Sequence, residues 1–219
     1  MSRNEFKQGA IARRRKLKRD ALRTIYAELK RNGWKKIQNV FFQKFGNWFW
    51  TLTVNTYLND EKTTLSLDVK PIEIDSLLWE ILGIPENQNE PLSFRAKGAF
   101  TCSSLPVASL TIDDANMSAD SIGQKTNLWL SENFEKYCDS VSGASFSSQV
   151  KNHQNQIDRG SYAITLVISL ILESKLEQAM EYSEKYERGE LESVFDLRSD
   201  GKSFHYHAMQ WLKNNQSTA

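Results

Sequence analysis

Cysteine is scarce in this 219-residue chain. Cys102 and Cys138 stand far apart and in no metal-ligand spacing. That fits a reducing compartment, and at this length a sizeable core is buried without disulfides or metal. Histidine is nearly as scarce, with His153, His205 and His207 only. Positions two apart on a helix point about 200° away from each other, so His205 and His207 share a metal only if they lie on a strand. No cysteine or third histidine stands beside them, so no metal site is expected. Long apolar runs are missing as well. The longest, "YAITLVISLIL" at 162–172, falls short of the roughly 20 residues of a membrane span and reads as a buried helix. The start, "MSRNEFKQGAIARRR", has no apolar core of a secretory signal. The expectation is a cytoplasmic protein without a membrane partner.

Catalytic and cofactor signatures are absent too. "SIGQKT" at 121–126 superficially resembles a phosphate loop, but Gln124 interrupts the Gly-Lys-Thr order and position 118 is Ser118. "DDANMSAD" at 113–120 places oxygen ligands at Asp114, Asn116 and Ser118. A calcium loop then needs glycine where Ala119 stands and glutamate where Lys125 stands. No His-Glu-x-x-His, Gly-x-Ser-x-Gly or Gly-x-Gly-x-x-Gly occurs. No cofactor and no catalytic residue is expected, and an enzyme here would need an unrecognised site.

What is present begins with charge. Apolar residues make up 40% and charged residues 25%, ordinary values for a globular chain. The net charge of +1 hides an asymmetry. Of 28 Lys/Arg and 27 Asp/Glu, residues 1–36 hold 13 and 3, a net of +10. The remaining 15 and 24 give a net of −9. The basic excess peaks in "RRRKLKR" at 13–19: Arg13, Arg14, Arg15, Lys16, Lys18 and Arg19. From about Lys16 to Arg31, Leu22, Ile25, Tyr26 and Leu29 recur at the spacing of one helix face, and Asn32-Gly33 supplies a stop. In such a helix the basic block sits near the positive end, where cations are disfavoured, and like charges at i, i+4 repel. An anionic partner would offset both, whether nucleic acid, an acidic protein or the chain's own acidic body.

Sheet follows. "NVFFQKF" and "WFWTLTVNTYL" flank Gly46-Asn47, a pair suited to a two-residue hairpin turn. That register sets Phe45 opposite Trp48, Gln43 opposite Trp50 and Phe41 opposite Leu52. With these, Val54 completes one apolar face, and Trp48 and Trp50 are read as core. The other face carries Phe42, Lys44 and Phe49. Either a second layer covers it or it forms an aromatic-basic patch on which a base stacks. "TLSLDVK" continues the sheet to Pro71. "IDSLLWEILGIP" reads as a short helix capped by Asp75, with Leu78, Trp79 and Leu82 inside and Gly83 at its end. "ENQNEP" is a polar loop. "SFRAKGAFTC", with Phe94, Ala96, Gly98 and Phe100 on one side, and "VASLTI" read as strands. The remainder is helical: 121–141, then a small-residue connection at 142–148, a helical hairpin from Ser161 to Gly189 turning near Ser174-Lys175, and a last amphipathic helix over 202–215. No repeat at a fixed period appears.

The expected fold is therefore one α+β domain over 1–219. It has a basic N-terminal helix in 1–33, a mainly antiparallel sheet with one short helix in 37–112, and a helical part in 120–215. Within it, Gly33-Trp34, Lys35-Lys36, Phe41-Phe42 and Thr53-Val54-Asn55 carry a likeness over about residues 20–70. The stretch resembles a bacterial family of proteins of unknown function, numbered 4304 among such domains. The resemblance implies an α+β domain of the kind met in toxin immunity and bacterial defence, and it transfers no catalytic residue. The first expectation for function is a non-catalytic protein-binding module of bacteria or phage, with the hairpin offering a groove. The alternative is a nucleic-acid binder using the 13–19 cations with Phe42, Lys44 and Phe49.

Overall fold

Ala21, Leu22, Ile25 and Leu29 are buried along one face of α1, Arg3–Leu29, in the computed structural model. The residues described are 3–57, 61–142, 145–157, 162–192 and 200–216. A short 3-10 turn, Lys30–Asn32, follows α1. It ends at Gly33, whose φ of 84° is the left-handed cap that the Asn-Gly pair predicts. One expectation changes. Because α1 begins at Arg3, the basic block lies in mid-helix, and the macrodipole acts only within the terminal turns. Repulsion between neighbouring cations is then its only intrinsic cost.

Strands β1, Lys35–Ile37, β2, Val40–Phe45, and β3, Trp48–Thr56, form an antiparallel meander in the predicted register, with Phe45 against Trp48, Gln43 against Trp50 and Phe41 against Leu52. Strands β4, Lys62–Pro71, and β5, Leu105–Asp113, complete a five-stranded antiparallel sheet in sequential order. Phe41, Trp50, Leu52 and Val54 are buried, as the alternation predicts. Trp48 is only half-buried and Phe45 is 55% exposed, because both flank the turn at the end of the ladder. On the opposite face Phe42 and Phe49 pair at 6.0 Å and are both buried.

"SFRAKGAFTC" is not a strand. It forms a short helix, α3, Phe94–Lys97, and a loop. The cause is a buried ion pair. Lys70 Nζ donates to Asp75 at 3.0 Å and to the carbonyls of Arg95 and Cys102 at 3.1 and 2.9 Å, while the Cys102 N–H donates to Asp75 at 2.8 Å. The Arg95 carbonyl and both backbone groups of Cys102 thus find partners in side chains, and the N–H groups of Arg95, Ala96 and Gly98 bond within the local turn rather than in a ladder. Asp75 is consequently buried within α2, Ile74–Ile81, and does not cap it. Glu73 occupies the cap position without a side-chain bond. Leu78, Trp79 and Leu82 are buried and Gly83 has a φ of 67°, as expected.

Beyond β5 come α4, Ala119–Ser142, α5, Phe146–Ile157, α6, Ala163–Leu172, α7, Leu176–Glu187, and α8, Phe204–Gln216. Ser174, with a φ of 58°, turns α6 into α7 where the hairpin was expected. Thr165 to Ile171 are buried without interruption, so α6 is core. Helix α5 begins inside the expected connection at 142–148, taking its last three residues, and continues to Ile157. That connection, the polar turn at 59–63 and the hairpin's first residue lie partly outside the described residues. Among the described residues no helix is long and apolar enough to cross a membrane.

The chain divides into two compact units. One comprises Met1–Val69 with Pro106–Ser140, the other Lys70–Leu105 with Val141–Ala219. The first holds α1, β1 to β3, α4 and most of β4 and β5. The second holds α2, α3 and α5 to α8.

Candidate functional site

In the first unit α1 crosses α4 at a glycine. A Cβ on Gly123 would stand 2.5 Å from Thr24 Cγ2, and the Thr24 hydroxyl donates to Asp120 at 2.9 Å. The "SIGQKT" stretch thus holds its glycine for close helix packing. This crossing directs Phe134 of α4 over the sheet, where its ring meets those of Trp50, Trp34 and Phe45 at 5.0, 5.7 and 5.8 Å, all edge-on. Gln43 closes the cluster on its polar side. Its amide donates to the Asn32 carbonyl at 3.2 Å and accepts the Trp34 indole N–H at 3.1 Å.

Above this floor lies an open groove of about 630 Å³. Glu28 and Asn32 line one side, Asn127, Leu128 and Glu135 of α4 the other, and Phe45 stands at its edge. Phe45 and Leu128 are 55% and 59% exposed. Glu28 accepts from Arg31 at 3.0 Å. The groove therefore offers apolar anchorage between amides and two carboxylates.

The basic block divides. Arg14 turns inward, buried with its Nη1 2.6 Å from Asp114 Oδ1 and its Nη2 3.3 Å from Oδ2. It also donates to the Tyr57 carbonyl from Nε at 3.2 Å and Nη2 at 2.9 Å. Asp114 further accepts the Thr63 hydroxyl at 2.6 Å. Arg14 is thus a structural residue and no part of a binding surface. Arg13, Arg15, Lys16 and Arg19 are exposed, and Lys18 is half-buried. Arg23, in the same row, is also exposed. The pairs Arg15/Arg19 and Arg19/Arg23 each repel by about 0.2–0.5 kcal/mol. Asp20, 3.5 Å from Arg19 and 3.9 Å from Arg23, relieves part of this. Phe42 and Phe49 are buried, so no base reaches them, and Lys44 stands exposed without its expected aromatic companions.

Groups with displaced pKa values lie elsewhere. Burial raises Asp68 to about 6, against a lowering bond from the Ser66 hydroxyl at 2.7 Å. Burial likewise pushes up the thiols of Cys102 and Cys138. In the second unit Glu173 caps α5, accepting Ser147 N–H at 2.8 Å and the hydroxyls of Ser145 and Ser147 at 2.7 and 2.6 Å. Lys175 Nζ donates to Glu173 at 2.6 Å and to Ser145 and Ser147 at 2.9 and 3.1 Å. Burial would raise Glu173, but the Lys175 bond and the serine bonds outweigh it and bring it to about 2. Lys175 acts here as a donor to the cap, which is not the arrangement of a base beside a serine nucleophile. None of these groups lines the groove.

Sequence reasoning missed Phe134, Leu128 and the exposure of Phe45. The signal for Phe45 was its place beside the turn. The other two required knowing which face of α4 the Gly123 crossing turns towards the sheet. Comparison with protein families, curated proteins and solved structures finds no match to the chain.

Proposed function

We propose that this chain is a non-catalytic protein-interaction module whose binding surface is the groove between α1, β2 and α4. The observation that carries this is the pair Phe45 and Leu128, two large apolar side chains more than half exposed at one aromatic-floored groove. Exposed apolar groups gathered at a concave site mark interaction surfaces, and binding energy concentrates on such anchors. The rim carboxylates Glu28 and Glu135 favour a partner segment with a Lys or Arg beside its apolar anchor. An immunity-type role, as the family resemblance implies, is one setting in which such a module works.

The test is selection of a displayed random-peptide library on the full chain, with parallel selections on Phe45→Ser and Leu128→Glu. Both side chains are exposed, so the variants keep the fold, which circular dichroism checks. The expected result is enrichment of peptides pairing an aromatic or leucine with a basic residue, and loss of their binding to both variants. Peptides that bind wild type and variants alike would overturn the assignment of the groove, as would no enrichment at all.

A further inference from the structure

The outward face of α1 carries a second surface, independent of the groove. Lys16 and Arg23 of α1, and Lys30 where the 3-10 turn continues it, recur every seven residues, so they fall on one side of the helix over about 21 Å. Arg13, Arg15 and Arg19 flank this line, and all six are exposed. The side chains of Arg19 and Arg23 are 75% and 83% exposed. The acids in this stretch of the helix are Asp20, already shared between Arg19 and Arg23, and Glu28, paired with Arg31. Arg14, the one arginine of the run that meets a buried carboxylate, has left the row for the interior.

We propose that this row is a binding surface for the phosphate backbone of a nucleic acid, read without regard to sequence. Two observations favour a polyphosphate over an acidic protein. From 13 to 30 the exposed residues are six cations, Ala27 and Glu28, with no large apolar side chain, whereas protein interfaces centre on apolar anchors with charge at the rim. The cations also follow one another along a single unbroken helix, as an extended chain of phosphates requires. Burial of Phe42 and Phe49 removes this pair as a platform on which the bases of a single strand would stack. Binding therefore comes from counterion release alone, with about four to five phosphates neutralised.

The experiment is fluorescence anisotropy of a labelled 20-base-pair DNA duplex and a labelled single-stranded RNA with the full chain, from 50 to 200 mM salt. The comparison is a variant carrying Arg15→Gln, Lys16→Gln, Arg19→Gln and Arg23→Gln with Arg14 intact. Expected are a log–log salt slope near −4 for the duplex, about a 250-fold loss of affinity across that range, equal affinity for unrelated sequences, and at least tenfold weaker binding by the variant. Unchanged thermal melting of the variant shows that the fold is kept. Absence of wild-type binding at 50 mM salt would overturn the proposal, as would variant binding equal to wild type. Displacement of the duplex by polyglutamate as readily as by unlabelled duplex would assign the row to an acidic protein instead. Groove variants keep nucleic-acid binding if the two surfaces are independent, so failure of either reading is seen separately.

Discussion

Replacing Arg14 by methionine removes the guanidinium while keeping much of the aliphatic volume. Asp114, whose side chain is fully buried, then loses both guanidinium contacts and retains the Thr63 hydroxyl. The Tyr57 carbonyl loses two donors at the same time. Breaking a buried pair by removing one partner costs about 3–5 kcal/mol, because the remaining charge is uncompensated. For a chain of this size that lowers Tm by roughly 6–20 °C. The same change at Arg15, one position along but exposed, stays within about 0.5 kcal/mol. Urea unfolding followed by circular dichroism and tryptophan fluorescence measures both. The double replacement Arg14→Met with Asp114→Leu recovers most of the loss, since apolar side chains of similar volume often substitute for a buried pair at little cost. If Arg14→Met unfolds within 1 kcal/mol of wild type, the guanidinium does not hold the β5–α4 junction to α1. The assignment of Arg14 to the interior then fails.

Glu173 gives a pH signature. Its pKa is about 2 in the folded chain against an ordinary 4.5, so the stabilisation is complete above pH 4.5 and lost as pH falls from there towards 2. The side chain is 24% exposed, so solvent screening leaves about 1–2 kcal/mol of the possible gain. Glu173→Gln should lower the unfolding free energy at pH 7 by that amount and match wild type near pH 2; an equal difference at both values would refute the cap. Gly123→Val should weaken the α1–α4 crossing by about 1–3 kcal/mol, because its Cβ meets Thr24 at 2.5 Å. Thr24→Ala in the same chain should restore part of the loss, and a lack of coupling between the two in denaturant melts would place the crossing elsewhere.

Much of the fold is legible in local pattern. The hairpin register follows from a two-residue turn and a period of two, because a slip of one residue would expose Phe41, Trp50 and Leu52. The stop at Gly33 and the buried run of α6 follow from backbone freedom and apolar density in the same direct way. Local pattern fails where polar groups find distant partners. "SFRAKGAFTC" alternates like a strand, yet Lys70 and Asp75 capture its backbone. Helix α5 is built largely from polar residues and takes its cap from Glu173, far along the chain.

The α+β class, the hairpin, the helical second half and the concentration of positive charge in the first 36 residues are all readable along the chain. These rest on spacing between neighbours, which the chain carries in order. Tertiary structure alone decided which cation of the basic run is structural, because the carboxylate that draws Arg14 inward lies 100 residues away. It also decided that Phe42 and Phe49 are buried while Phe45 is exposed, and that Phe134 and Leu128 come to the groove. Each of those outcomes depends on which surfaces meet, and residues far apart in the chain meet only when the whole unit has folded.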